Sequence, residues 1–196
     1  LKVDQDLGLF HMSCGSLMLD QLITTGSASV TDEDMSASAG GGGGGIAPKQ
    51  ITEVFGTQST GKTMFCLSTA LSLIQHRNSQ HTVLYIDSQN AFCERKLATM
   101  FEKRRQRHLQ QQQQLQSSSL SSSQTGVNEF CTMMEMMSKI HCAKSFDIFQ
   151  LNDILQMVVR EIQSENNLFY SCLRLIIVDC IGQVMLPSIQ TPVGDA

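Results

Sequence analysis

GTQSTGKT, residues 56–63, commits its surroundings to a particular local architecture. In Gly-x-x-x-x-Gly-Lys-Thr the backbone N–H groups converge on phosphate oxygens, and the loop needs a strand before it and a helix after it. Gly56 and Gly61 permit backbone conformations closed to other residues. The positive end of the following helix adds to the pull on an anion. Lys62 reaches the outer phosphates, and the Thr63 hydroxyl is a ligand for Mg²⁺. Thr57, Gln58, Ser59 and Thr60 fill the loop and contribute N–H groups. The expected ligand is therefore a nucleoside triphosphate with Mg²⁺.

The flanking sequence has the required alternation. ITEVF (51–55) reads as a short strand entering the loop, and KTMFCLSTALSLIQH (62–76) as the helix leaving it. TVLYID (82–87) reads as a buried strand. LRLIIVD (173–179) is a continuous apolar run, expected to be a strand covered on both faces. ERKLATMFEKRRQRH (94–108) reads as an amphipathic helix with Leu97, Met100 and Phe101 inward. EFCTMMEMMSKI (129–140) and DIFQLNDILQMVVREIQ (147–163) also read as helices, the second opened by a capping box of Asp147 and Gln150. Together they predict an α/β domain with a mostly parallel sheet flanked by helices. Ligands of such sheets bind beyond the carboxyl ends of the strands. Three polar features fall there: the loop, Asp87-Ser88-Gln89-Asn90, and Asp179. An aspartate after four apolar residues suits a carboxylate facing Mg²⁺. The plainer alternative is an ordinary strand-ending aspartate.

Two biased stretches interrupt the pattern. Residues 27–45 include six consecutive glycines and read as a flexible linker, because glycine loses the most freedom on ordering. Residues 106–126 are Gln- and Ser-rich and read either as a helical extension or as disorder. The expected organisation is a lead-in segment at 1–26, the linker at 27–45, a phosphate-loop half at 46–105, the insertion at 106–126 and a second half at 127–196. The net charge of −4 supplies no general attraction to nucleic acid. The seven cysteines contain no C-x-x-C pair and read as reduced thiols, with Cys66 and Cys172 in buried settings. No apolar run reaches membrane-spanning length, and no leader is evident at the start. The basic cluster Lys103–His108 reads as a solvated helix end whose cations favour the helix dipole, against a phosphate contact or a nuclear import signal. MMEMM (133–137) is equally suited to core packing or to a partner surface.

Three further stretches resemble one family among the many that use a phosphate loop. These are SCGSLMLDQLITTG (13–26), YIDSQNAFCERKL (85–97) and AKSFDIFQLNDILQ (143–156), with LRLIIVDCIGQVMLP (173–187) after them. They resemble the eukaryotic RecA-like recombinase paralogues, the D-type branch most closely. The resemblance implies a RecA-like P-loop core that binds ATP with Mg²⁺ held by Thr63 and Asp179. It also implies a role in homologous recombination, sister paralogues as partners in a hetero-oligomer, single-stranded DNA met through that assembly, and a nuclear location. Active members carry a glutamate two positions after the second strand's aspartate, as the base that activates water. Here that position is Gln89, which orients water without accepting its proton. Cys180 stands where the family usually has serine. Only 17 residues follow Asp179, so the resemblance implies a core incomplete at its C-terminal side and dependent on partners. Two readings follow. One is a DNA-dependent ATPase with slow turnover, and the other is an interaction module in which ATP stabilises an interface. A small-molecule kinase is a third, but it lacks arginines on a lid after the sheet.

Overall fold

The structure, a computed structural model, describes residues 12–27, 45–75, 79–118 and 131–189. Most of the 27–45 linker and residues 119–126 of the insertion lie outside them. The chain divides into two compact units, Leu1–Leu73 and Ile74–Ala196.

The first unit holds helix α1 (Leu17–Ser27) and almost all of helix α2 (Lys62–Ile74), which follows the phosphate loop. Residues 51–55 differ from expectation. They form no strand, and Ile51 and Phe55 are 100% and 88% exposed. The β-branched composition of ITEVF favours extension, but a strand exists only through hydrogen bonds to a neighbour. Among the described residues none pairs with this segment. The one pairing nearby is an isolated antiparallel bridge between Met12 and Ile46.

The second unit is an α/β layer structure. Strands β1 (Thr82–Asp87), β2 (Ile140–Lys144) and β3 (Leu173–Asp179) form a parallel sheet in the order β2-β1-β3. Helices α3 (Glu94–Ser118), α4 (Met133–Ser138), α5 (Ile148–Ser164), α6 (Leu168–Ser171) and α7 (Ile181–Ile189) complete it. All six residues of β1 are buried, because it has a strand on each side. Leu84 and Ile86 on one face pack with Leu151 and Val158 of α5 and Val184 of α7. Each such side chain contributes about 1.5–3 kcal/mol through removal from water. Val83 and Tyr85 occupy the other face, where the Tyr85 ring lies 4.9 Å from that of Phe92. β3 is less covered than its apolar run predicts: Arg174 and Ile176 are exposed. It stands at the edge of the described sheet.

Helix ends account for the remaining differences. The Asp147 carboxylate accepts from the Gln150 N–H at 2.8 Å, while Gln150 Oε1 accepts from Phe146 N–H rather than from Asp147 itself. A reciprocal capping box instead opens α4, between Thr132 and Glu135. Helix α3 runs to Ser118, so residues 106–118 continue the helix and Lys103–His108 lie in its middle. The helix dipole acts only within the last turn and so does not account for these cations. Arg104 donates to Gln75 Oε1 at 3.2 Å, and Arg105 lies 3.7 Å from Glu102. The Met-rich stretch is divided, with Met136 fully buried and Met134 exposed. All seven cysteines are free thiols; Cys14 and Cys131 are buried, whereas Cys66 and Cys172 are only half-buried. Among the described residues no helix is long and apolar enough to cross a membrane.

Candidate nucleotide-binding site

The phosphate loop lies at the N-terminus of α2, all of it at the surface or half-buried. Gly61 has φ +92°, a left-handed conformation, and Ser59 shares that region at +65°. A side chain at Gly56 would bring its Cβ within 3.1 Å of Thr60 Oγ1. The hydroxyl of Thr60 donates to the Thr57 carbonyl at 2.9 Å. Lys62 Nζ turns back onto the loop, donating to the Gly56 carbonyl at 2.9 Å and to that of Thr57 at 2.7 Å. This donor set fits a polyphosphate: a glycine-shaped loop, the positive end of a 13-residue helix and an ammonium drawn over the loop. Thr63 opens the helix beside Lys62, with a half-buried side chain.

Asp179, Gln89 and Asp87 belong to the second unit. β1 and β3 pair in register through Asp87 and Asp179, so both strands end at the same level. Ser88 fastens those ends together. Its N–H donates to the Asp179 carbonyl at 3.0 Å, and its hydroxyl donates to the Cys180 carbonyl at 2.9 Å. The Cys180 N–H donates back to Ser88 Oγ at 2.8 Å.

Asp87 and Asp179 share a face of the sheet but serve different ends. Asp87 is 2% exposed, and its carboxylate accepts from the N–H groups of Gln89, Ala91 and Phe92 at 3.1, 3.0 and 2.9 Å. It thereby shapes the turn that carries Gln89, where Asn90 adopts φ +56°. Asp179 Oδ2 accepts from the Tyr85 hydroxyl at 2.6 Å. Tyr85 pairs with Ile177, one pleat before Asp179 on the same face, so sheet geometry brings the phenol to the carboxylate.

Gln89 is exposed at the head of the turn, with Nε2 3.1 Å from Cys180 Sγ. The two positions that depart from the family pattern therefore meet. Sequence reasoning missed Tyr85, and placed Ser88 at the strand ends without its fastening role. Each acts across a strand pair, and only the register brings such partners together.

A parallel sheet flanked by helices, together with a Gly-x-x-x-x-Gly-Lys-Thr loop at a helix N-terminus, is the pattern of the P-loop proteins. The sequence profile of the Rad51 family matches residues 8–156, about three-quarters of the chain. This chain belongs to the Rad51 family, which excludes the small-molecule kinase reading. It is 27% identical over 190 residues to the probable DNA repair protein RAD51 homolog 4 of Dictyostelium discoideum, covering 91% of this chain and 48% of the relative. It is 26% identical over 173 residues to the DNA repair protein RAD51 homolog 4 of Mus musculus, covering 88% and 45%. The Bos taurus protein of the same name is 24% identical with the same coverage. The chain spans about half the length of the curated relatives it matches.

Proposed function

We propose that this chain is the ATP-holding part of a recombinase paralogue acting in homologous recombination and DNA double-strand break repair. The names of its relatives, DNA repair proteins, support the process. Gly56 to Thr63 hold the phosphates, with Lys62 on the outer ones, and Thr63 and Asp179 hold Mg²⁺. Bound Mg²⁺ spreads the charge of the triphosphate. Tyr85 orients the Asp179 carboxylate, and the Asp87 turn presents Gln89. The protein works in the nucleus, in a hetero-oligomer with sister paralogues through which single-stranded DNA is met.

The reading rests above all on Gln89. Its amide donates to Cys180 Sγ, and at neutral pH it has no group that takes a proton from water. A positioned base contributes about 10²–10⁴-fold to such a reaction. Hydrolysis by this subunit is therefore slow, and the bound nucleotide serves assembly. The test compares ATP turnover and assembly of the full-length complex carrying wild-type protein or Lys62→Ala. Impaired assembly at an unchanged rate supports the clamp. A complex that assembles normally but loses turnover contradicts it and makes this subunit a working ATPase.

A further inference from the structure

The first unit carries a polar bracket around the phosphate loop that its own chemistry does not require. Asp20 of α1 is 5% exposed and Cys14 is 1% exposed. Asp20 Oδ2 accepts from Ser13 Oγ at 2.6 Å, and Oδ1 accepts from the Cys14 N–H at 2.7 Å. Ser13 Oγ accepts in turn from the Gly15 N–H at 3.0 Å. One carboxylate thus sets the path of residues 13–15.

That turn holds the loop from both sides. Upstream, Met12 and Ile46 exchange both backbone hydrogen bonds, at 2.8 and 2.9 Å. Gly45 allows this approach, since a Cβ there would stand 2.4 Å from the Met12 carbonyl oxygen. Downstream, the Cys14 carbonyl accepts from Ser68 Oγ at 2.6 Å, and Ser68 lies on α2 six residues after Lys62. Thr69 and Ser72 donate to carbonyls of their own helix, whereas Ser68 donates out of it. Residues 46 and 68 bracket the phosphate loop, and both are tied to the turn that Asp20 shapes. Burial alone would raise the Asp20 carboxyl, but the bonds from Cys14 and Ser13 outweigh it and hold the group below its ordinary range.

We propose that Asp20 is a positioning residue for nucleotide binding, acting through the Cys14 carbonyl and the Ser68 hydroxyl on the helix that carries the phosphate loop. The proposal rests on the nucleotide-binding reading above. Neither side chain needs to touch the nucleotide, so the effect appears in affinity and in loop order rather than in the ligand's contacts.

The experiment uses the full-length protein and a fluorescent ATP analogue with Mg²⁺. Binding is titrated for wild type, Lys62→Ala, Ser68→Ala, Ser68→Thr, Asp20→Ala and the Asp20→Ala, Ser68→Ala double variant, with amide exchange followed over residues 56–68. Ser68→Ala is expected to raise Kd about 2- to 10-fold, the range for one lost hydrogen bond, and to speed exchange in the loop. Ser68→Thr, which keeps the hydroxyl, restores both. Asp20→Ala has the larger effect, and adding Ser68→Ala to it changes little more. If Asp20→Ala fails to fold, the two Ser68 variants decide. Loss of binding in Lys62→Ala, with wild-type affinity and exchange in Ser68→Ala and Asp20→Ala, overturns the bracket and leaves nucleotide binding standing. A wild-type protein that does not bind the analogue overturns both.

Discussion

In residues 56–63 the polar side chains are exposed up to Thr60 and half-buried at Lys62 and Thr63, and Lys62 leans on the backbone carbonyls of its own loop. Around the strand ends, by contrast, Asp87, Ser88 and Asp179 are buried; Ser88 and Asp179 are bonded across segments far apart in sequence, and the Asp87 carboxylate holds the turn after its own strand. The loop is a local device whose geometry comes from glycine and a helix terminus. The bonds of Ser88 and Asp179 exist only once β1 and β3 have paired, and the turn that Asp87 holds carries Ser88 into them. A substitution in the loop should therefore cost binding while leaving the fold intact. One in the cluster should cost folding first and binding second.

The largest effect is expected at Asp87. Asp87→Ala removes the acceptor for three N–H groups in a partly buried turn, and should lower unfolding free energy by about 3 kcal/mol or more. Urea denaturation of the full-length protein measures this, and a loss below about 1 kcal/mol would show the turn holds its shape without the carboxylate. Lys62→Ala should leave stability within about 0.5 kcal/mol of wild type, because its ammonium bonds only exposed carbonyls of its own loop. The same variant should weaken ATP binding about 10- to 100-fold through loss of charge-assisted bonds to phosphate. Equal destabilisation by Lys62→Ala and Asp87→Ala would erase the contrast between loop and cluster. Tyr85→Phe should cost about 1–2 kcal/mol of stability, less than Asp87→Ala, by removing a buried donor from Asp179, and should also weaken nucleotide binding, less than Lys62→Ala does. Its binding defect should be relieved by raising Mg²⁺ concentration, whereas that of Lys62→Ala should not. A Tyr85→Phe defect insensitive to Mg²⁺ would detach the phenol from the cation.

The same contrast explains what could be read before the fold was known. β1 and β3 lie at 82–87 and 173–179, as their apolar runs require, since continuous apolar sequence between polar ends has few other uses. The helix that opens at Lys62 was legible from the Gly-x-x-x-x-Gly-Lys-Thr spacing, which calls for a helix after the loop. Residues 51–55 have strand composition too, but composition carries no information about a hydrogen-bonding neighbour. β2 went unread because its five residues, IHCAK, are mostly exposed and show no apolar run. Helices α6 and α7 were too short or too closely coupled to β3 to show a period of their own. Gln89 and Cys180 each stood out as departures, yet their contact spans 91 positions and depends on the β1–β3 register.

The measurement closest to the central claim is the rate of phosphate release from ATP bound to the full-length protein, for wild type and for Gln89→Glu. A nucleotide clamp predicts slow release from wild type and a rise of at least about tenfold on supplying the carboxylate base, with ATP affinity little changed. Rapid release from wild type, unaltered or slowed by Gln89→Glu, would contradict the clamp and make position 89 part of a working ATPase.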